Sequence, residues 1–141
     1  MITENMRLIE RDPNGLKLGK AYLEAIEAQD VGALKRVLHP RVELTHSNYP
    51  PVYGRDEAAD MIEGYLSIID GVEFEIRTAI CDEKLIAIEK VNIARAAKGA
   101  IARIRVVTIL EFDDDGLITS IRIYADTADL FQHIKLNRVL T

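Results

Sequence analysis

The stretch Ala100–Asp126 reads AIARIRVVTILEFDDDGLITSIRIYAD. Its first half is a long run of aliphatic and β-branched residues, as a strand requires. Asp113–Gly116, DDDG, then turns the chain, with glycine at the position that favours positive φ. LITSIRIYAD returns as the next strand. Two earlier segments carry the same signature. VEFEIRTAICD (Val72–Asp82) alternates apolar and polar residues, and KLIAIEKVNIARAA (Lys84–Ala97) follows it, with a turn at Lys98-Gly99. Four strands joined by short turns predict an antiparallel meander.

Upstream of Val72 the period changes to that of helices. Leu16, Leu18, Tyr22, Leu23 and Ile26 form a stripe on a helix running from Pro13 or Asn14 to Gln29. Asp30 can cap a short second helix from Val31 to Leu38, which Pro40 stops. RVELTH (Arg41–His46) reads as a strand. GRDEAADMIEGYLSII (Gly54–Ile69) reads as a third helix, with Asp56 and Glu57 in the first turn, where the helix dipole favours them. TADLFQHIKLNRVL (Thr127–Leu140) predicts a last helix with Thr127 as its cap. Helices segregated to one side of a curved antiparallel sheet make an α+β domain. The whole chain, residues 1–141, is expected to form one such cone, with an apolar interior open at one end.

Composition narrows the function classes. Of 141 residues, 48% are hydrophobic and 29% charged, the balance of a globular chain. The net charge of −5 argues against a nucleic-acid partner. Cys81 is the sole cysteine, so neither an internal disulfide nor a cysteine metal site is expected. No run reaches the length of a membrane span. MITENMRLIERDPNG lacks the apolar block of a signal peptide, and a cytoplasmic location is expected. His39, His46 and His133 are scattered without ligand spacing, DDDG lacks a calcium-loop pattern, and there is no glycine-rich phosphate loop. The expectation is neither metal nor cofactor.

Three strings carry a family resemblance: PPVYGRDEA (Pro50–Ala58), IEKVNI (Ile88–Ile93) and IRIYADTADLF (Ile121–Phe131). They resemble the nuclear transport factor 2-like (cystatin-like α+β barrel) cone fold, and within it the SnoaL-like polyketide cyclases and limonene-epoxide hydrolases. The hydrolase pocket gathers an Arg, two Asp, a Tyr and an Asn around a water. On this chain the last-strand aspartate matches Asp126. The central-strand aspartate matches Asn92, its arginine Lys90, the asparagine His46 and the tyrosine Leu44. Only the last-strand aspartate is retained, so the resemblance does not carry epoxide hydrolysis with it. The cyclases imply instead a last-strand aspartate working with a histidine in cofactor-free proton transfer.

Strand periodicity supplies an independent expectation. Ile88, Lys90 and Asn92 share one face of their strand, and Arg122, Tyr124 and Asp126 share one face of theirs. With both polar faces turned into the cone, Lys90, Asn92, Tyr124 and Asp126 converge, and His46 closes the ring. Asp126, His46 and Lys90 are then the catalytic candidates. Asn92, Tyr124, Asn48, Tyr49, Leu44 and Ile88 are the substrate-binding candidates, with Pro50-Pro51 stiffening the corner that carries Asn48 and Tyr49. The plainer alternatives are a His46 bonded to a backbone carbonyl, a structural Lys90–Asp126 ion pair and an Asn92 that only bonds within the core.

Two function classes follow. One is a cofactor-free acid/base enzyme, a cyclase, isomerase, lyase or hydrolase, acting on an apolar oxygenated small molecule. The other is a non-catalytic binding or interaction module that keeps the cone. Ile104, Val106 and Leu110 lie on one face of their strand and Val107 and Ile109 on the other. The helices cover only one face, so a homodimer through the sheet is expected.

Overall fold

The computed structural model describes residues 6–10, 14–96 and 99–128. In chain order the elements are β1 (Arg7–Glu10), α1 (Gly15–Glu27), α2 (Val31–Val37), β2 (Leu38–His46), β3 (Val52–Tyr53), α3 (Arg55–Ser67), β4 (Val72–Asp82), β5 (Leu85–Arg95), β6 (Ile101–Phe112) and β7 (Ile118–Ala125). The helix expected after Thr127, with His133, and Lys98 of the expected turn lie outside the described residues.

The strands form one curved, unclosed sheet in the order β1-β4-β5-β6-β7-β2-β3. Its centre, β4 to β7, is the antiparallel meander expected from the sequence. The flanks make the sheet mixed, because β1 runs parallel to β4 and β2 runs parallel to β7. The chain between the parallel strands β2 and β7 carries α3, which joins α1 and α2 from before β2 in a helical layer over one face. The α+β cone is therefore as expected, and the two parallel pairings are additions to it.

Local chemistry explains the elements. Asp30 accepts from the Ala33 amide at 3.0 Å and caps α2. Leu38 begins a strand directly after Val37, so α2 ends earlier than Pro40 alone would require. Pro40 is tolerated inside β2 because the β2–β7 ladder is irregular between Leu38 and Glu43. Asp113 organises the β6–β7 turn by accepting from the Asp115 and Leu117 amides at 3.0 and 2.9 Å, and Gly116 has φ 79°.

Side-chain rows run across the inner face. One row is Ile76, Lys90, Val106 and Ala125, on β4 to β7. The next is Ala79, Ile88, Thr108, Ile123 and, on β2, His46. Against this face lie Tyr22, Leu23 and Ile26 of α1 and Ala58, Ala59, Ile62 and Leu66 of α3. Gly19 lets α1 approach closely: a Cβ there would stand 2.9 Å from Ile86 Cδ1. Cys81 is fully buried under α1, beside Gly15.

Candidate functional site

Between the helices and the inner face the cone keeps a cavity of about 310 Å³. Its walls are mostly aliphatic and aromatic, and among the described residues no Asp or Glu lines it. Polar side chains enter from several elements, with Tyr22 from α1, Tyr49 from the turn after β2 and Thr127 from beyond β7 among them. Lys90 and Asn92 come from β5, Thr108 from β6, His46 from the end of β2 and Tyr65 from α3.

Lys90 is 4% exposed. Its Nζ donates to Asn92 Oδ1 at 2.7 Å and stands 4.5 Å from the centre of the Phe74 ring. Among the described residues no carboxylate forms an ion pair with it. Burial without a counter-charge disfavours the ammonium and brings its pKa down to about 7. The neutral amine and the ammonium are thus both populated near neutrality.

His46 is half-buried at the exit of β2, and its Nδ1 has no hydrogen-bond partner among the described residues. Burial pulls its pKa below 6.5. Its own backbone opposes that shift, and the nearby Lys90 charge adds to it. The ring meets Tyr49 edge-on, with centroids 5.9 Å apart. The turn that carries His46 is fixed by Ser47, whose amide donates to Ile123 O at 2.7 Å. Tyr65 Oη faces the Asn92 amide without closing a regular hydrogen bond, and burial raises its pKa.

The sequence expectations divide at this point. His46, Lys90, Asn92, Tyr49 and Leu44 all line the cavity. Ile88 shares their face but is buried in the core near Gly19, and Asn48 is exposed on the turn after His46. Tyr124 and Asp126 require a correction, because they do not converge on Lys90. Tyr124 is 52% exposed, and Asp126 is exposed and accepts from the Ala128 amide at 3.1 Å. The parallel pairing of Leu44 with Ile121 and His46 with Ile123 turns Ile121, Ile123 and Ala125 inward, which sends Arg122, Tyr124 and Asp126 outward. The apolar set of β7 takes the interior because burying it is favourable and burying Arg122 and Asp126 is not. A Lys90–Asp126 ion pair is absent for the same reason. Arg122 pairs with Glu111 on the outer face instead.

Sequence reasoning did not assign Tyr65, Thr108 or Phe74 to the site, and it read Tyr22 only as part of the α1 stripe and Thr127 only as a helix cap, yet all five line the cavity. A signal for Tyr65 exists: it follows Ala58 and Ile62 at helical spacing, on the face of α3 that packs inward.

Comparison with known proteins agrees with this fold. Residues 20–121 match the SnoaL-like domain family. Among curated proteins, none matches the chain in sequence. An LEH-like epoxide hydrolase of M. tuberculosis superposes with a TM-score of 0.72 at 20% identity, covering 89% of this chain and 92% of that one. A protein of Shewanella denitrificans classed with the SnoaL-like polyketide cyclases gives 0.76 at 15% identity, covering 89% and 99%. An NTF2-like protein of unknown function from Burkholderia pseudomallei gives 0.76 at 20% identity, covering 87% and 98%. At these identities the superpositions establish a shared fold, and the match over residues 20–121 shows that the chain belongs to the SnoaL-like domain family.

Proposed function

We propose that the chain is a cofactor-free acid/base enzyme acting on an apolar, oxygenated small molecule bound in the cone. The observation that carries this reading is that His46 and Lys90, both with proton affinity depressed by burial, enter one cavity that no carboxylate lines among the described residues. A neutral His46 is a competent base near neutral pH. Lys90, Asn92 and Tyr65 offer donors to an oxygen on which negative charge develops. The reaction class is proton transfer next to a carbonyl, as in a cyclisation, isomerisation, elimination or hydrolysis. Asp126 has no part in it.

A second reading has a specific observation in its favour: among the described residues the cavity lining lacks the carboxylate that acid/base enzymes often use. On that reading the chain is a small-molecule-binding module. One experiment separates the two. Wild type and His46→Gln are screened against hydroxy-ketones, epoxides and aromatic polyketides by thermal shift and by product analysis. The enzyme reading expects turnover that falls by about 10²-fold or more in His46→Gln. Ligand stabilisation with no product from any class overturns it in favour of the binding module.

The further parts of the proposal concern the chain as a whole. It is taken as one cone-shaped unit that works in the cytoplasm without a nucleic-acid partner, in keeping with its net charge of −5 and its single, buried cysteine. Among the described residues no helix is long and apolar enough to cross a membrane. A homodimer through the outer face of the sheet is supported by Ile80, Val107 and Tyr124, which are exposed there on β4, β6 and β7.

A further inference from the structure

We infer that Lys90 is a nucleophile that captures an apolar aldehyde or ketone as a covalent imine inside the cone. This deepens the proposed proton-transfer function by naming the reacting group and the ligand class.

The geometry supports it in three ways. First, the amine is buried on an apolar inner face, between Ile76 and Val106, and opens onto the cavity. Second, among the described residues its one hydrogen-bonding side chain is Asn92, which accepts at 2.7 Å but brings no charge that would hold the ammonium. A carboxylate at that position would keep the nitrogen protonated and its lone pair unavailable. Third, the groups that face it can handle the departing oxygen. His46 comes from β2 and Tyr65 from α3, each with a polar side-chain atom that lacks a hydrogen bond among the described residues. Among the described residues the other titratable groups lining the cavity are Tyr22 and Tyr49, and neither is a carboxylate. Desolvation of a lysine in an apolar pocket is a recognised route to an amine nucleophile.

The step balances without an oxidant or reductant. The Nζ lone pair attacks the carbonyl carbon, and the carbonyl π pair moves to oxygen. A proton passes from nitrogen to that oxygen to give the carbinolamine. His46 in its protonated form, or Tyr65, donates a second proton to the hydroxyl, which leaves as water as the C=N bond forms. The nitrogen gives up its remaining proton to that donor, so one amine and one carbonyl yield one imine and one water. Before that last proton leaves, the iminium withdraws electrons from the adjacent C–H bond, and the His46 left neutral by its own donation can take the C–H proton instead. Imine formation would therefore strengthen the acid/base chemistry already proposed.

The test uses the full chain and 3-phenylpropanal, with 3-phenylpropan-1-ol and 3-phenylpropanoate as shape controls. After borohydride reduction, intact mass and peptide mapping are read between pH 5 and 9. The expected result is a single addition, equal to the aldehyde less one oxygen atom, mapped to Lys90 in preference to exposed Lys17 and Lys84. Its rate should rise through a midpoint near pH 7, as set by the free amine. Asn92→Asp should suppress the addition at neutral pH by at least about tenfold, because it restores a counter-charge. Labelling spread over the exposed lysines overturns the inference. So does tight binding of all three probes without addition, or selective binding of the carboxylate, though either outcome leaves a working ligand cavity. If no probe shifts the melting temperature and no addition forms, the imine and the small-molecule reading both fall.

Discussion

Ser47 and Ala125 are joined twice, across the parallel seam between β2 and β7. Ser47 Oγ donates to the Ala125 carbonyl at 3.1 Å and accepts from the Ala125 amide at 3.1 Å. Ser47 itself sits at φ 48°, the left-handed region. One hydroxyl thus replaces a ladder pairing where the backbone turns away from the sheet, and it fixes the residue that follows His46. Ser47→Ala removes both bonds and leaves the Ala125 amide and carbonyl to find other partners. The expected cost is about 1–3 kcal/mol in urea unfolding. Because the loss falls beside His46, ligand affinity should drop as well. A variant with unchanged stability would show that the clasp contributes nothing.

Lys90 makes stability depend on pH. Its folded pKa is about 7 against an ordinary 10.5, so between those values the unfolded chain binds the proton that the folded chain refuses. Stability from this group therefore rises with pH across that window. Below about 7 both states are protonated, and the full cost of burying the charge remains. That cost is on the order of 5 kcal/mol for a shift of this size. Lys90→Met keeps the length of the side chain and removes the charge. The variant should be more stable than wild type at pH 6, with the difference shrinking toward pH 10. Equal slopes of stability against pH in the two proteins would contradict the unpaired, buried amine.

Gly19 is a packing residue. A Cβ at this position comes within 2.9 Å of Ile86 Cδ1, and Ile86 is fully buried. Gly19→Ala gains helix propensity and needs only a small movement of the Ile86 terminus, so its net effect should be close to zero. Gly19→Val adds branches that cannot be absorbed, because α1 is packed on β5 at this point. It should cost about 2–3 kcal/mol in thermal or chemical unfolding. A neutral Gly19→Val would mean that α1 does not press on the sheet there.

The four meander strands were legible because each carries its own alternation and ends at a turn with chemical cause, as Asp113 and Gly116 illustrate. The flanking pairings were not legible. RLIE at β1 is too short to carry a period, and the parallel β2–β7 ladder depends on contacts far apart in sequence. This seam also decides the site. Periodicity correctly put Lys90 with Asn92 on one face of β5, and Tyr124 with Asp126 on one face of β7. It does not say which face points inward. For β5 the inner set is Ile88, Lys90 and Asn92, with two polar members tolerated by the cavity. For β7 the inner set is Ile121, Ile123 and Ala125, the apolar choice that the register with Leu44 and His46 holds in place. Reading both polar faces as inward treated two independent choices as one.

Asp126→Asn tests that assignment directly. The carboxylate is exposed and does not line the cavity; its Oδ1 accepts from the Ala128 amide at 3.1 Å. Asparagine retains a side-chain oxygen that can accept the same bond, so the local turn should survive. The expected change in stability is within about 0.5 kcal/mol, the usual range for a surface substitution. Any turnover should be reduced by less than about threefold, whereas His46→Gln should lose about 10²-fold or more. The contrast matters because both residues are candidates by resemblance, and only His46 enters the cavity. Assaying the two variants side by side, with melting temperatures on the same samples, distinguishes a positioned base from an outward-facing carboxylate. A large loss of turnover in Asp126→Asn with an unchanged melting temperature would return the aspartate to the reacting centre, and would require β7 to present its other face during the reaction.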